Sequence, residues 1–471
     1  MTPTSAQPQW SNLALLRMSS YGFGMIGFVL AMDTIILPVM VGWLAPVEWK
    51  NSYLATLGFS GLVVAALMQP LVGHYSDQTR SSLGRRIPYM VWGCVFVCVG
   101  LVGLGVASNY LVLLVAWLFV QANVNIGYGP YQALIRDLVP LGRIGAASSI
   151  KILSDASGSL VLIVISSVLI GRATGSAPGD WVWLSLGVLG VTLIVGTAIT
   201  SLTVRAREIA ASFLGGLAQP LEPRPFRFME RSYDVPGLME TVQPRSSPMP
   251  QDGAGLLGKI RLALGPLHPH LARFVLSRLL IMTAITAFPT FALFFLEDKV
   301  GLANSTEALG RMIPAVGGAL AIAVYPAGWL SDRVGRKPMI MAGALGASAS
   351  AVWLLSAGSD TDVLARASVM GFFIGVLLSS NWALANELGT RGREGLHMGI
   401  VNLATTGGAA AAKMLGPGID LLNNRVSEDW GYNALLITCA SLFVLGALLL
   451  MPLKVETPGA FSPAQSPEEA G

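Results

Sequence analysis

Lys151 and Asp155 stand four residues apart in an otherwise apolar stretch, IKILSDASGSLVLIVISSVLI at 150–170. On a helix that spacing puts the ammonium and the carboxylate on one face, and Ser148 and Ser159 lengthen the polar stripe. A carboxylate so placed can take up and release a proton or a sodium ion, with the lysine as its counter-ion when the cation is absent. A static salt bridge joining two elements is the plainer alternative. Asp33, in VLAMDTIILPVM at 29–40, is a second carboxylate of this kind, and Arg278 and Lys413 are cations set in apolar runs. VQANVNIGYGPYQALI at 120–135 concentrates amides and phenols, and SSNWA at 379–383 brings Asn381 and Trp382. Amides donate and accept together, and an indole stacks on the CH face of a sugar. Asn123, Asn125, Tyr128, Gln132, Asn381, Trp382 and Lys413 are therefore candidates for contacting a neutral polyol; Trp382 as a packing or lipid-facing residue is the alternative.

These groups need elements that hold them away from water. The chain has 471 residues, 53% of them hydrophobic and 12% charged, with a mean hydropathy of +0.63. A helix needs about 20 mostly apolar residues to cross a hydrocarbon layer of about 30 Å. Twelve runs qualify: 15–44, 52–74, 88–107, 110–135, 145–171, 181–204, 272–296, 307–330, 338–357, 363–386, 397–422 and 432–452. With no water to satisfy backbone groups, such runs must be helices, whereas strand barrels show shorter, alternating segments. The first run is too long for a signal-peptide core and is expected to be retained. The fold class expected is an all-α polytopic membrane protein.

The charge balance of +4 is distributed by side rather than along a nucleic-acid face. Arg80, Arg85, Arg86, Arg136, Arg143, Arg333, Arg336, Lys337, Arg391 and Arg393 fall in alternate loops, against Lys50, Arg172, Lys299 and Arg425 in the others. The positive-inside rule then places both termini in the cytoplasm of a multi-pass plasma (inner) membrane protein, with no nucleic-acid partner. Cys94, Cys98 and Cys439 lie within apolar runs as packing residues and form no metal site with His or acidic neighbours. GFGMIG at 22–27 fits a dinucleotide fingerprint but lies inside an apolar run with no preceding strand, so close helix packing is the better reading. No P-loop and no Ser, Cys or zinc catalytic constellation stands out. Neither an enzyme nor a cofactor is expected; the only ion implied is H+ or Na+.

Residues 205–270 are hydrophilic and rich in Pro and Arg, and divide the runs six and six. They read as a cytoplasmic linker, in which LLGKIRLALGPL at 256–267 is amphipathic enough to lie on a membrane surface. The domains expected are a first six-helix bundle at 1–204, the linker at 205–270, a second bundle at 271–455 and a disordered tail at 456–471. The halves repeat. GHYSDQTRSSLGRRIP at 73–88 returns as GWLSDRVGRKP at 328–338, and ALIRDLVPLGRIGAASSI at 133–150 returns as ALANELGTRGREGLHMGI at 383–400, at an offset of 250. Two six-helix bundles related by an axis normal to the membrane suit a carrier that rocks about a central site.

The loop pattern of glycine, Asp, then Gly-Arg-Arg/Lys resembles the signature of the major facilitator superfamily, here in both halves. QPLVGHYSDQTRSSLGRRIP with GPYQALIRDL is similar to the glycoside-pentoside-hexuronide and sucrose-type cation symporters, which usually carry Arg where this chain has Gln132. The resemblance implies a central cavity lined by spans one, four, seven and ten. It also implies a conformational latch, formed by Gly73, Asp77, Arg85, Arg86, Asp332, Arg333 and Arg336, that stabilises an outward-facing state. Charges that only fix topology are the alternative. The function implied is secondary active transport of a sugar-like solute by alternating access, coupled to H+ or Na+ symport, by a monomer in the bilayer. A facilitator-like membrane assembly or pigment-delivery factor without solute transport is the competing possibility.

Overall fold

The protein is described by a computed structural model covering residues 10–79, 81, 83–172, 179–215, 269–387, 394–427 and 429–452. The amphipathic stretch 256–267 and the tail at 456–471 lie outside the described residues. Twelve helices follow one another, with no strand among the described residues. The first bundle holds α1 (Asn12–Leu44), α2 (Val47–Gln78), α3 (Ile87–Gly105), α4 (Tyr110–Leu138), α5 (Ile144–Gly171) and α6 (Asp180–Gly215). The second holds α7 (Pro269–Phe294, continuing to Lys299), α8 (Ser305–Val334), α9 (Arg336–Leu354), α10 (Asp360–Glu387), α11 (Glu394–Lys413, resumed as Gly416–Arg425) and α12 (Trp430–Leu450). Among the described residues, ten are long and apolar enough to cross a membrane by length and composition. The other two, α9 and α11, are diluted by small residues, as in MAGALGASASA at 341–351 and ATTGGAAAA at 404–412. Such residues trade hydropathy for close helix contact.

Close contacts repeat between the halves. A Cβ on Gly93 of α3 would lie 2.8 Å from the Asn123 carbonyl and the Gly127 nitrogen of α4, and one on Gly343 of α9 would lie 2.8 Å from the Leu377 nitrogen of α10. Gly196 of α6 abuts the Ser20 carbonyl of α1, and Gly446 of α12 abuts the Ser277 carbonyl of α7. The glycines of GFGMIG do what close packing asks. Gly24 meets the backbone of α6 at Leu193 and Gly27 meets the Gly158 carbonyl of α5.

Each helix has one end at the linker face, where residues 79, 81, 83–86, 215, 269 and 335 lie, and one at the far face. At the far face the bundles are joined. Lys50 of α2 reaches Asp298 at 2.7 Å, and the Tyr432 hydroxyl of α12 donates to the same carboxylate at 2.5 Å. Asp420, beyond the break in α11, caps the start of α2: it accepts from the Asn51 backbone N–H at 3.3 Å and Nδ2 at 2.8 Å, and from the Ser52 N–H and hydroxyl at 2.6 Å each. Free N–H groups and a positive dipole end make a helix start a natural seat for a carboxylate. Further in, Gly58 of α2 lies against Lys413 of α11, and Gly310 of α8 against Ser167 of α5.

Toward the linker face the same helix lines part. Ala66 and Gln69 of α2, Asn402 and Thr406 of α11, Ala156 and Leu160 of α5, and Ala321 and Tyr325 of α8 are all exposed. Tyr325 is 83% exposed. Neither α2 with α11 nor α5 with α8 shares a hydrogen bond at that end among the described residues. The seam is closed at the far face and open at the linker face.

Candidate functional site

In the first bundle the site is built around Asp155. Lys151 Nζ lies 2.6 Å from Asp155 Oδ2 and over the rings of Tyr131 and Tyr128, 5.2 and 5.7 Å from their centroids. The two ring faces help hold the ammonium. The other oxygen, Oδ1, is buried with no hydrogen-bond partner among the described residues. It fits against α1 because residue 22 is glycine: a Cβ there would stand 1.9 Å from Oδ1. The Tyr21 ring packs at a tilt of 43°, 4.8 Å from that of Tyr131, whose hydroxyl donates to the Ser19 carbonyl at 3.4 Å. Asp155 and Lys151 side chains keep 16% and 17% exposure, enough for water to reach them.

At roughly 100° per residue, Gln121, Asn125, Tyr128 and Gln132 share one face of α4. Asn125 Oδ1 accepts from Gln69 Nε2 of α2 at 3.0 Å, and Gln132 is exposed. Asn123 is corrected: it lies about 200° from that face. Its amide donates to the Phe119 carbonyl of its own helix at 2.8 Å and its backbone packs on Gly93 of α3, so it serves helix packing. Asp33 occupies a π-helical turn, Met32–Ile36, a distortion frequent at functional sites. It is half-buried and makes no hydrogen bond or ion pair among the described residues. The structure does not bring it to Lys151. Lys413 crosses the seam to Gly58 and likewise pairs with no carboxylate among the described residues.

The second bundle holds a cluster built on one arginine, whose hydrogen-bond partners lie 103 and 127 residues away in sequence. Arg278 of α7 is fully buried. Its Nη1 donates to Asn381 Oδ1 of α10, its Nε donates to Thr405 Oγ1 of α11 at 3.1 Å, and its guanidinium lies 4.3 Å from the centroid of Trp382. Trp382, 41% exposed, thus stacks on an arginine in this state. Arg278 Nη2, Asn381 Nδ2 and Ser380 Oγ are buried with no partner among the described residues. The position is the repeat of the Asp155 pocket. Asn381 and Thr405 match Tyr131 and Asp155 at the offset of 250, and Arg278 follows Ser277 as Tyr21 follows Ser20. The two clusters match in place, but one half presents its carboxylate from α5 and the other its guanidinium from α7.

The repeated loops after α2 and α8 turn on glycines in the left-handed region, Gly84 at φ 89° and Gly335 at φ 101°, a conformation that side chains with a Cβ disfavour. Arg86 ties α2 to α4, with Asp77 at 2.7 Å, Asp137 at 2.9 Å and the Ser76 hydroxyl at 2.6 Å. Arg85 pairs with Asp137 at 2.9 Å. In the repeat, Arg336 lies 3.7 Å from Asp332, and Arg333 stacks 3.8 Å over Trp329 without pairing with Asp332. Gly73 faces open space. Each of these described contacts stays within its own bundle.

A family model described as major facilitator superfamily matches residues 274–470, and one described as MFS/sugar transport protein matches residues 20–215. Sucrose transport protein SUT3 of Oryza sativa subsp. indica is 33% identical over 81 residues, 15% of this chain and 16% of the relative. Sucrose transport protein SUT1 of Oryza sativa subsp. japonica is 29% identical over 156 residues, 26% of this chain and 29% of the relative. The matches span less than a third of those relatives' length. Among solved structures, a D-xylose-proton symporter superposes with a TM-score of 0.64 at 13% identity, covering 94% of this chain and 98% of that one. A nucleoside transporter, NupG, superposes at 0.62 with 14% identity and coverages of 94% and 99%. At such identities the likeness is one of fold.

Proposed function

This chain is a multi-pass integral membrane protein of the major facilitator superfamily, and from that premise we propose that it is a secondary active transporter moving a small, polar, sugar-like solute by alternating access. The observation that carries this reading is the seam, sealed at the far face and open at the linker face, with the polar clusters of both bundles between. We take the linker face as cytoplasmic, in the plasma (inner) membrane, on the strength of the basic loops; the state described is then inward-facing. The matches to sucrose transport proteins and the sugar-transport family model support a sugar-like solute.

The coupling ion is H+ or Na+, and Asp155 carries it. One carboxylate oxygen is held by Lys151 and the other has no donor among the described residues, so a cation at Oδ1 neutralises the group and loosens the lysine. Lys151 is then released toward the cavity, where its position over Tyr128 and Tyr131 links occupancy to the polar face of α4. Gln69, Asn125, Tyr128 and Gln132 on one side and Trp382 on the other supply the amide and ring contacts a polyol needs. A single chain contains all of these parts.

Uptake into proteoliposomes under an imposed proton or sodium gradient tests the proposal over a panel of sugars and nucleosides. Asp155→Asn is expected to abolish gradient-driven accumulation and keep solute exchange, because neutralisation mimics the occupied state. Wild-type accumulation by that variant rejects Asp155 as the coupling residue. No accumulation of any solute by the unmodified protein, with a stable protein partner recovered instead, favours the assembly-factor alternative.

A further inference from the structure

At the far face a cavity of about 640 Å³ lies across the seam, a volume within the range of small-molecule sites, roughly 300–1,000 Å³. Its first-bundle wall includes Trp43 of α1 and Gly171 of α5. Its second-bundle wall includes Glu297, in the continuation of α7, and Asn304, Ser305 and Thr306 at the start of α8. Glu297 and Asn304 are exposed, so far-face solvent reaches the cavity while the seam beside it is shut: Glu297 adjoins Asp298, which Lys50 holds at 2.7 Å.

Three kinds of group meet there with bonding capacity to spare. The start of α8 has no side-chain cap, and the first backbone bond into the helix runs from the Ala308 N–H to the Asn304 carbonyl at 3.1 Å. The N–H groups of Ser305, Thr306 and Glu307 are left over at the positive end of a 30-residue helix. The Ser305 side chain, 8% exposed, makes no hydrogen bond among the described residues. Opposite these donors stands an acceptor. The Glu297 side chain is 52% exposed and lies 3.6 Å from Lys50 Nζ, which Asp298 holds more closely. Trp43 is half-buried, and its indole N–H has no partner among the described residues. A carboxylate or phosphate suits the helix start but meets Glu297, and no basic side chain is among the described residues that line the cavity. A simple cation suits Glu297 but meets the positive helix end. A sugar hydroxyl serves both, donating to a carboxylate while accepting from an N–H, and the CH face of the ring stacks on an indole.

We propose that this cavity is a second saccharide site, separate from the clusters around Asp155 and Arg278, and that its occupant holds the far face closed. The hydroxyls of a neutral saccharide lie between Glu297 and the start of α8, and a ring face lies on Trp43. The two walls belong to different bundles, so opening the far face pulls them apart and breaks the set of contacts. A ligand shifts an equilibrium toward the state it binds better, and external sugar at high concentration therefore slows its own uptake. Binding needs only the cavity's own groups, whereas the effect on uptake rests on the alternating-access reading.

Labelling of Ala303→Cys in the full chain by a membrane-impermeant maleimide added at the far face tests the site, with sucrose and D-xylose as probes. Ala303 is exposed and borders the cavity. At least one of the two sugars is expected to slow the labelling severalfold, and to do so equally when Trp382→Ala removes the stacking surface of the deeper site. Glu297→Gln and Trp43→Ala should each raise the half-protecting concentration about tenfold, the scale of one charge-assisted hydrogen bond or one stacked ring, and Trp43→Phe should keep part of the protection. Thermal midpoints in detergent verify that these variants are folded. Gluconate, whose carboxylate meets Glu297, should not protect. In uptake, the rate of the unmodified chain should fall at high external sugar, and that of Trp43→Ala should only saturate. Labelling unchanged by both sugars, or gluconate protecting as well as sucrose, overturns the proposal. So does protection that survives Glu297→Gln and Trp43→Ala but is lost with Trp382→Ala. Protection by a sugar that the unmodified chain does not take up supports the site and counts against the transport reading instead.

Discussion

The two faces of the seam carry similar residue types and use them differently. At the far face Lys50, Asp298, Asn51, Asp420 and Tyr432 join one bundle to the other. At the linker face Asp77, Arg85, Arg86 and Asp137 bind one another within the first bundle, and Asp332 and Arg336 pair within the second. Charge density does not decide which face is closed; what decides it is whether a charge's partner lies across the seam. Asp420 shows the principle most sharply. It is 2% exposed and its described partners are the backbone and side-chain donors at the start of α2, so it functions as a helix cap supplied by the opposite bundle. When the far face opens, that cap must be lost and water must replace it.

Breaking the cap should have the largest effect. Asp420→Ala removes the acceptor of the buried Asn51 backbone N–H and of the half-buried Ser52 donors, and orphaned buried donors cost about 1–3 kcal/mol each. A shift of about 3 kcal/mol, more than a hundredfold in population, toward far-face opening is expected. Thiol labelling of Ala55→Cys from the far side reads it, and unchanged labelling refutes the cap. Lys50→Met should shift the same equilibrium less, by about 1–2 kcal/mol, since a buried pair offsets much of its own desolvation and Tyr432 still donates to Asp298. The same labelling assay applies, and an effect as large as that of Asp420→Ala would show that the ion pair dominates. Arg86→Gln should be the smallest at the seam. It should lower the thermal midpoint by a few degrees, through lost α2–α4 bonds, without altering far-face labelling. A labelling change there would mean that the linker-face charges already bias the two faces in this state.

The helices were legible because a hydrocarbon layer sets their length, and the two halves because residues 73–88 and 328–338 repeat. Lys151 and Asp155 were legible because their spacing is that of one helical turn. Asn123 shows the limit of counting polar residues in a run: composition put it beside Asn125, but helical phase turns it toward Gly93. Asp298 and Asp420 read as ordinary acids near helix ends, since their partners are 248 and 369 residues away in sequence. Arg278 was visible as a cation in an apolar run. Its partners on α10 and α11 are set by packing, and only the 250-residue offset, applied to Asn381 and Thr405, could have pointed to them.

Alternating access requires the two faces to be alternatives, one opening as the other closes. Pulsed electron–electron distances between spin labels test this directly, using Ala66→Cys with Thr406→Cys at the linker face and Glu48→Cys with Asn424→Cys at the far face. On addition of a transported solute with the coupling cation, the first distance should shorten in a fraction of molecules while the second lengthens in the same fraction. Two distances that stay fixed under every solute and cation condition, or that change in the same direction, would contradict it.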